Sequence, residues 1–199
     1  MVTKKSPILA VIVPMKPLHL AKQRLRPALN DGQRRELALR MFRHVLTTVN
    51  RSAAAAMTAV VSADDHVLAL ARFFGFTPLR EERTGYNEAA LTGVAWAQKE
   101  GAEAVLILPG DLPLLSPADV QGMAKLAVGP GVVVAPDEQE QGTNALLLHP
   151  PDILAPSFGV GSFRRHCQLA ADIGIIPVIY RSASLARDID WPEDLNLTF

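Results

Sequence analysis

Three charged groups in this 199-residue chain have the residue types and spacing to work on phosphates. The first is Lys16, Lys22 and Arg24, which follow an apolar run. Arginine grips a phosphate through its planar fork and lysine acts as a compact point charge, so the set could hold a polyphosphate. The competing reading is a solvated basic loop. The loop lacks G-x-x-x-x-G-K-[ST], and the chain has no G-x-G-x-x-G, so it matches neither of the common phosphate-loop fingerprints. The second group is Asp111, just beyond another apolar run. A carboxylate there suits magnesium bridging phosphate oxygens, although a turn aspartate bonding its own backbone fits too. The third is Asp188-Ile-Asp190, whose alternate residues point the same way in an extended segment and could complete a metal site with Asp111. Asp190 could instead, or in addition, cap the turn beginning at Trp191-Pro192.

Two further segments place small and polar residues between apolar runs. Gln141-Gly-Thr-Asn144 puts the Thr143 hydroxyl and an amide at a strand entrance. Phe158-Gly-Val-Gly-Ser162 precedes an amphipathic stretch, so Ser162 is expected to cap a helix whose exposed amides face an anion. Gly159 and Gly161 would let a phosphate approach the backbone closely. His166 reads as structural rather than catalytic, and Cys167 as a small buried hydrophobe, since no partner motif surrounds it. Trp96 and Trp191 read as core or edge aromatics, and 53–56 as packing at a helix end.

These residues need elements to position them. The runs 8–13 and 104–108 are continuously apolar, as in strands buried on both faces. Further strands are predicted at 57–62, 76–79, 132–134, 144–148 and 175–180. Helices are predicted at 30–50, with Asn30-Asp31 as its cap, then at 64–74 and 87–99, from Ser116-Pro117 onward, and at 162–173. In the first of these, Leu37, Met41, Val45 and Val49 form the inner stripe, with Arg34, Arg35, Arg40 and Arg43 on other faces. A helical turn is expected at 191–195. Residues 15–29, rich in proline and cations, read as a loop. Strands alternating with helices imply one three-layer α/β domain with a mostly parallel sheet, whose ligands bind beyond the carboxyl ends of strands. No repeat, linker or domain boundary is apparent.

Composition narrows the function. Lysine plus arginine total 20 and aspartate plus glutamate total 20, so the net charge is zero. Coating nucleic acid or an anionic membrane needs a positive excess that this chain lacks. Hydrophobic residues at 49% are enough for a sizeable core. A single cysteine leaves no intramolecular disulfide and no thiolate-based zinc site. The opening apolar run is too short to span a membrane, and no small-residue cleavage site follows it. The expectation is a soluble cytoplasmic protein.

The order of short motifs along the chain is more specific than any one of them. Val13-Pro-Met-Lys-Pro17, Ala21-Lys-Gln-Arg-Leu25, Leu108-Pro-Gly-Asp-Leu-Pro113, Gly142-Thr-Asn-Ala-Leu146, Phe158-Gly-Val-Gly-Ser-Phe163 with His166, and Asp188-Ile-Asp-Trp-Pro-Glu-Asp-Leu195 occur in one series. It resembles the CofC/FbiD family of guanylyltransferases in coenzyme F-420 biosynthesis, over nearly the whole chain. The resemblance implies a Rossmann-like nucleotidyltransferase fold of the glycosyltransferase-A type. It also implies transfer of GMP from GTP to the phosphate of 2-phospho-L-lactate, phosphoenolpyruvate or 3-phospho-D-glycerate. It would assign Pro14, Lys16, Lys22, Arg24 and Asp111 to the nucleotide, with Gly85 and Asn87 nearby. Thr143, Gly159, Gly161 and Ser162 would receive the acceptor, and Asp111, Asp188 and Asp190 would hold magnesium. A homodimer is a further expectation. Gln23 stands where the family usually has serine, which could alter a phosphate contact; Tyr86 stands where leucine is usual, which could reshape the acceptor pocket; and Trp191 stands where threonine is common. Alternatives on the same fold are a cytidylyl- or molybdopterin-type nucleotidyltransferase, or a nucleotide-binding regulator without catalysis.

Overall fold

A strand covered on both faces must feed two cores with alternate side chains, and β1 (Leu9–Pro14) does so. Leu9, Val11 and Val13 enter one core, while Ala10 and Ile12 enter the other. The computed structural model describes residues 7–196; residues 1–6, on which the expectation of no leader partly rests, lie outside the described residues. After β1 the chain forms α1 (Asp31–Ser52), β2 (Met57–Ser62), α2 (Asp65–Phe73), β3 (Thr77–Arg80) and α3 (Tyr86–Lys99). It continues through β4 (Ala104–Ile107), α4 (Pro117–Lys125), β5 (Gly131–Pro136), β6 (Thr143–His149), α5 (Ser162–Asp172) and β7 (Val178–Ile179). The strands form one sheet in the order β3-β2-β1-β4-β6-β5-β7. Helices α1, α2 and α4 cover one face, and α3 and α5 the other, which makes the three layers expected.

The sheet is mostly parallel, as expected, but β6 runs antiparallel to both of its neighbours, β4 and β5. The crossover from β1 goes to β2 on one side, while β4 lies on the other, so the strand order reverses between β1 and β4. A crevice opens at such a switch point, beyond the carboxyl ends of the two strands. Helix α3 closes tightly on β1 there, because Gly93 has no side chain. A Cβ at that position would collide with the Ile12 side chain.

Several local expectations hold to the residue. Asn30 caps α1 by accepting from the Gln33 backbone N–H at 3.0 Å, and the Gln33 side chain accepts from the Asn30 N–H at 2.9 Å. Ser116 caps α4 with Pro117 in the first turn. Others need correction. Arg34 is buried, with Nη1 donating to the Ala21 carbonyl at 2.7 Å and Nη2 to Asp31 at 2.5 Å. The Ala21 carbonyl lies in the loop before α1, so helical periodicity alone could not place Arg34 inward. The cap of α5 is Gly161, at φ 71°, and not Ser162, which lies in the first turn and makes no cap. The late strand at 175–180 reduces to Val178–Ile179, which are in register with β5, and the Tyr180 N–H adds one further bond to the Val134 carbonyl at 2.9 Å. The basic loop contains two 3₁₀ turns, Leu18–Leu20 and Gln23–Leu25, and the last turn is also 3₁₀, Pro192–Asn196.

Candidate active site

The chain leaving β1 and the chain leaving β4 meet across the crevice. Leu108 N–H donates to the Ile12 carbonyl at 2.9 Å, carrying the ladder to the strand ends. The turn after β4 then needs Gly110. A Cβ there would lie 2.8 Å from Met15 Sδ and 3.0 Å from a Phe42 ring carbon. This close packing aims Asp111 at the basic loop.

Lys22, in the left-handed region at φ 51°, turns its side chain inward. Its buried ammonium donates to Asp111 Oδ2 at 2.6 Å and to Asp190 Oδ1 at 3.1 Å. Arg24 Nη1 donates to the other Asp190 oxygen at 3.0 Å, and its guanidinium sits 5.0 Å from the centre of the Trp191 ring. Asp190 therefore does not cap the last turn. Asp194 does, accepting from the Asp190 and Trp191 N–H groups at 2.9 and 2.7 Å. Burial alone would push the Lys22 pKa down, but Asp111 and Asp190 together raise it. Burial likewise opposes the charge on Asp111, yet Lys22, with help from Lys16, holds its pKa below the usual value. Both charges are thus kept by their pairing.

Asp188 is different. Burial, the neighbouring Asp190, and to a lesser extent Asp111 and Asp137 raise its pKa to about 6, against a smaller opposing pull from Lys22. It has no ion pair among the described residues. No three acidic, histidine or cysteine side chains among the described residues form a ready-made metal cage. Magnesium does not require one, since it is commonly held by one or two carboxylates together with substrate phosphates and water. The donor set fits that ion: hard carboxylate oxygens only, with enough mutual repulsion to favour a cation.

Two cavities share this charged cluster. One, of about 290 Å³, is lined by Pro14, Lys16, Lys22, Arg24, Asp111 and Asp190, among others. The larger, of about 750 Å³, includes Thr143, Gly159, Ser162 and Asp188 in its lining. Lys16, Arg24, Tyr86, Asp111 and Asp190 line both. Of the residues singled out in the sequence, Pro14 and Lys22 line only the smaller cavity, and Thr143, Gly159 and Ser162 only the larger. Gly161, Gly85 and Asn87 line neither. The Asn87 amide is spent on Phe158, accepting from its N–H at 2.7 Å and donating to its carbonyl at 3.2 Å.

The wall of the larger cavity is tied together by His166, which is fully buried. The Ser157 N–H donates to His166 Nε2 at 2.9 Å, so the ring proton sits on Nδ1, 2.9 Å from the Thr143 hydroxyl. Burial, assisted by Arg165, lowers the His166 pKa to about 4, and the ring is neutral at pH 7. The structural role expected of it is the one it has. Cys167 is partly buried against the same core, and burial raises its thiol pKa, so it is not an activated nucleophile.

Sequence reasoning missed how the segment bearing Asp188 and Asp190 is anchored. The buried Asp119 carboxylate accepts from the Ser182 and Ser184 hydroxyls, the latter at 2.7 Å, and Asn144 donates to the Leu185 carbonyl at 2.9 Å. Asp119 and Ser184 are 65 positions apart, and no local pattern signals such a pairing. Trp191 had a partial signal as a departure from the family pattern, yet its stacking on Arg24 did not follow from it. No helix among the described residues is long and apolar enough to cross a membrane.

Comparison with known proteins gives the family and the fold. A family model described as guanylyl transferase CofC like matches residues 9–199. A phosphoenolpyruvate guanylyltransferase of Rubrobacter xylanophilus is 44% identical, with 92% of this chain and 90% of that protein aligned. A 3-phospho-D-glycerate guanylyltransferase of Colwellia psychrerythraea is 30% identical over 94% of this chain and 89% of its own length. Among solved structures, a Methanothermobacter nucleotidyl transferase superposes with a TM-score of 0.71 at 16% identity, covering 96% of this chain and 95% of that one.

Proposed function

Because this chain belongs to the CofC-like guanylyl transferase family, we propose that it transfers GMP from GTP to the phosphate of a small phosphorylated acid, releasing pyrophosphate. The names of its relatives favour phosphoenolpyruvate as the acceptor, with 3-phospho-D-glycerate and 2-phospho-L-lactate as the other acids of this class. The product would serve coenzyme F-420 biosynthesis. The observation that carries this reading is the pair of cavities merging at Lys16, Arg24, Asp111 and Asp190. Two anions must meet in line, and a site shared by two anion-sized cavities is where they would do so.

The acceptor phosphate is already an anionic nucleophile at neutral pH, so no strong base is needed. One of its oxygens attacks the α-phosphorus of GTP. That P–O bond forms as the bond to the bridging oxygen of the β-phosphate breaks, and pyrophosphate leaves with the electron pair. Positioning and charge neutralisation then dominate the barrier. Lys22, held at a defined point by two carboxylates, and Arg24, stacked on Trp191, present fixed cations to the triphosphate. Lys16, exposed at the junction, is free to reach oxygens of either substrate. Thr143, oriented by His166, and the backbone around Gly159 and Ser162 receive the acceptor. Asp111, Asp188 and Asp190 would hold magnesium, which when bound offsets charge on the phosphate oxygens.

The test is pyrophosphate release from GTP in a three-acceptor competition, with the product identified by mass. Magnesium-dependent release with at least one acid is expected, and chelation should stop it. No release with any of the three acids, from protein that binds GTP, would sink the proposal.

A further inference from the structure

Of the five residues that line both cavities, Tyr86 alone is uncharged. Its hydroxyl oxygen is buried and has no hydrogen-bond partner among the described residues. A buried hydroxyl left unpaired is destabilising, and native structures keep few of them. The ring is not free to turn away. It packs edge-on against Phe158 with centroids 4.9 Å apart, and both backbone groups of Phe158 are clamped by Asn87. Just before Tyr86, Gly85 stands at φ 144° as the cap of α3, with its N–H held by Glu81 at 2.7 Å. Tyr86 therefore offers a fixed hydroxyl to something the described residues do not supply. Burial first, and Asp111 second, raise its pKa well above the ordinary phenol value, so the group keeps its proton and donates.

On the reading given under Proposed function, we propose that the Tyr86 hydroxyl donates a hydrogen bond to the carboxylate of the acceptor acid and selects acids whose carboxylate and phosphate share one carbon. The reacting phosphate must lie where the cavities merge, beside Lys16, Arg24 and Asp111. Tyr86 lines that same junction. A carboxylate on the phosphate-bearing carbon, as in phosphoenolpyruvate, stays at the junction within reach of the phenol. In 3-phospho-D-glycerate the carboxylate is attached one carbon further from the phosphate, and Tyr86 does not meet it. A site with a buried polar group awaiting its partner rejects ligands that leave it unpaired, which gives discrimination that shape alone does not.

The experiment compares wild type with Tyr86→Phe, which keeps the ring and removes only the oxygen. The unliganded variant should melt at the same or a higher temperature, because an unsatisfied group is lost. Its kcat/KM for phosphoenolpyruvate should fall roughly tenfold or more, the scale of a hydrogen bond to a charged group. Its kcat/KM for 3-phospho-D-glycerate should change by less than about threefold, since no such bond is made there. A lower melting temperature with a parallel loss on both acids would overturn the proposal in favour of a structural hydroxyl. So would unchanged phosphoenolpyruvate kinetics, or an equal loss on both acids without a stability change. A wild type that turns over no acceptor while binding GTP overturns the function itself, and this inference with it.

Discussion

Acidification should loosen the wall of the larger cavity through one side chain, His166. In the folded protein its Nε2 must stay unprotonated to accept from the Ser157 N–H. Burial, assisted by Arg165, lowers its pKa from 6.5 to about 4. The unfolded chain therefore binds this proton more readily than the native state between those two values. The stability contributed by neutral His166 is complete above pH 6.5, declines as pH falls, and is gone near pH 4. The depression corresponds to about 3 kcal/mol across that window. For a chain of this size, 1 kcal/mol shifts the melting temperature by roughly 2–4 °C. Asp188 acts in the opposite sense, since its carboxyl is raised from 3.8 to about 6 and takes up its proton in the folded state. The two effects are separated by subtraction. Urea unfolding of wild type and His166→Gln should be followed from pH 7.5 to 4, with the His166 proton resonances titrated by NMR. The variant should start less stable and lose less on acidification, so the two curves converge near pH 4. Parallel curves, or a His166 titration near 6.5 in the folded protein, would refute the reasoning.

Three other outcomes follow from contacts described above. Asp111→Asn should lower turnover about a hundredfold or more, as expected when a charged group is lost from such a site. Its melting temperature should move only a few degrees, because Lys22 keeps Asp190; equal losses of activity and stability would mean that Asp111 only shapes its turn. Gly93→Ala should destabilise by roughly 1–3 kcal/mol, since the new methyl strikes Ile12, even though alanine is favoured by about 1 kcal/mol in a helix. A rise in melting temperature would show that α3 has room to retreat from β1. Trp191→Ala removes the platform under Arg24, worth about 0.5–1 kcal/mol at an exposed site, so KM for GTP should rise about two- to fivefold. An unchanged KM would leave the stacking without a part in nucleotide binding.

Much of the fold was legible because local rules act over a few residues. The cap at Asn30, the proline after Ser116 and the unbroken apolar runs of β1 and β4 each announce their element through backbone chemistry. The direction of β6 was not legible, because a strand reads alike in either sense and only its pairing with β4 and β5 decides. The short extent of β7 depends in the same way on where β5 offers a partner. Arg34 misled because its polarity argues for the surface, while the carbonyl that draws it inward belongs to Ala21. Ser162 misled by one position, since Gly161 takes the positive φ that the cap of α5 adopts here.

By itself the sequence determined which groups could meet phosphates: a cluster of cations after β1 and carboxylates after later strands, summing to zero net charge. Residue type and strand-end position suffice for that, because the fold class dictates which strand ends share a crevice. Only the tertiary structure decided how those charges pair. Among the described residues it set Lys22 between Asp111 and Asp190, left Asp188 without an ion pair, and turned a buried Tyr86 hydroxyl toward no partner. Such pairings form between positions up to 168 residues apart, and their energies depend on burial and on distances of a few ångströms. Nothing in a one-dimensional pattern carries those quantities.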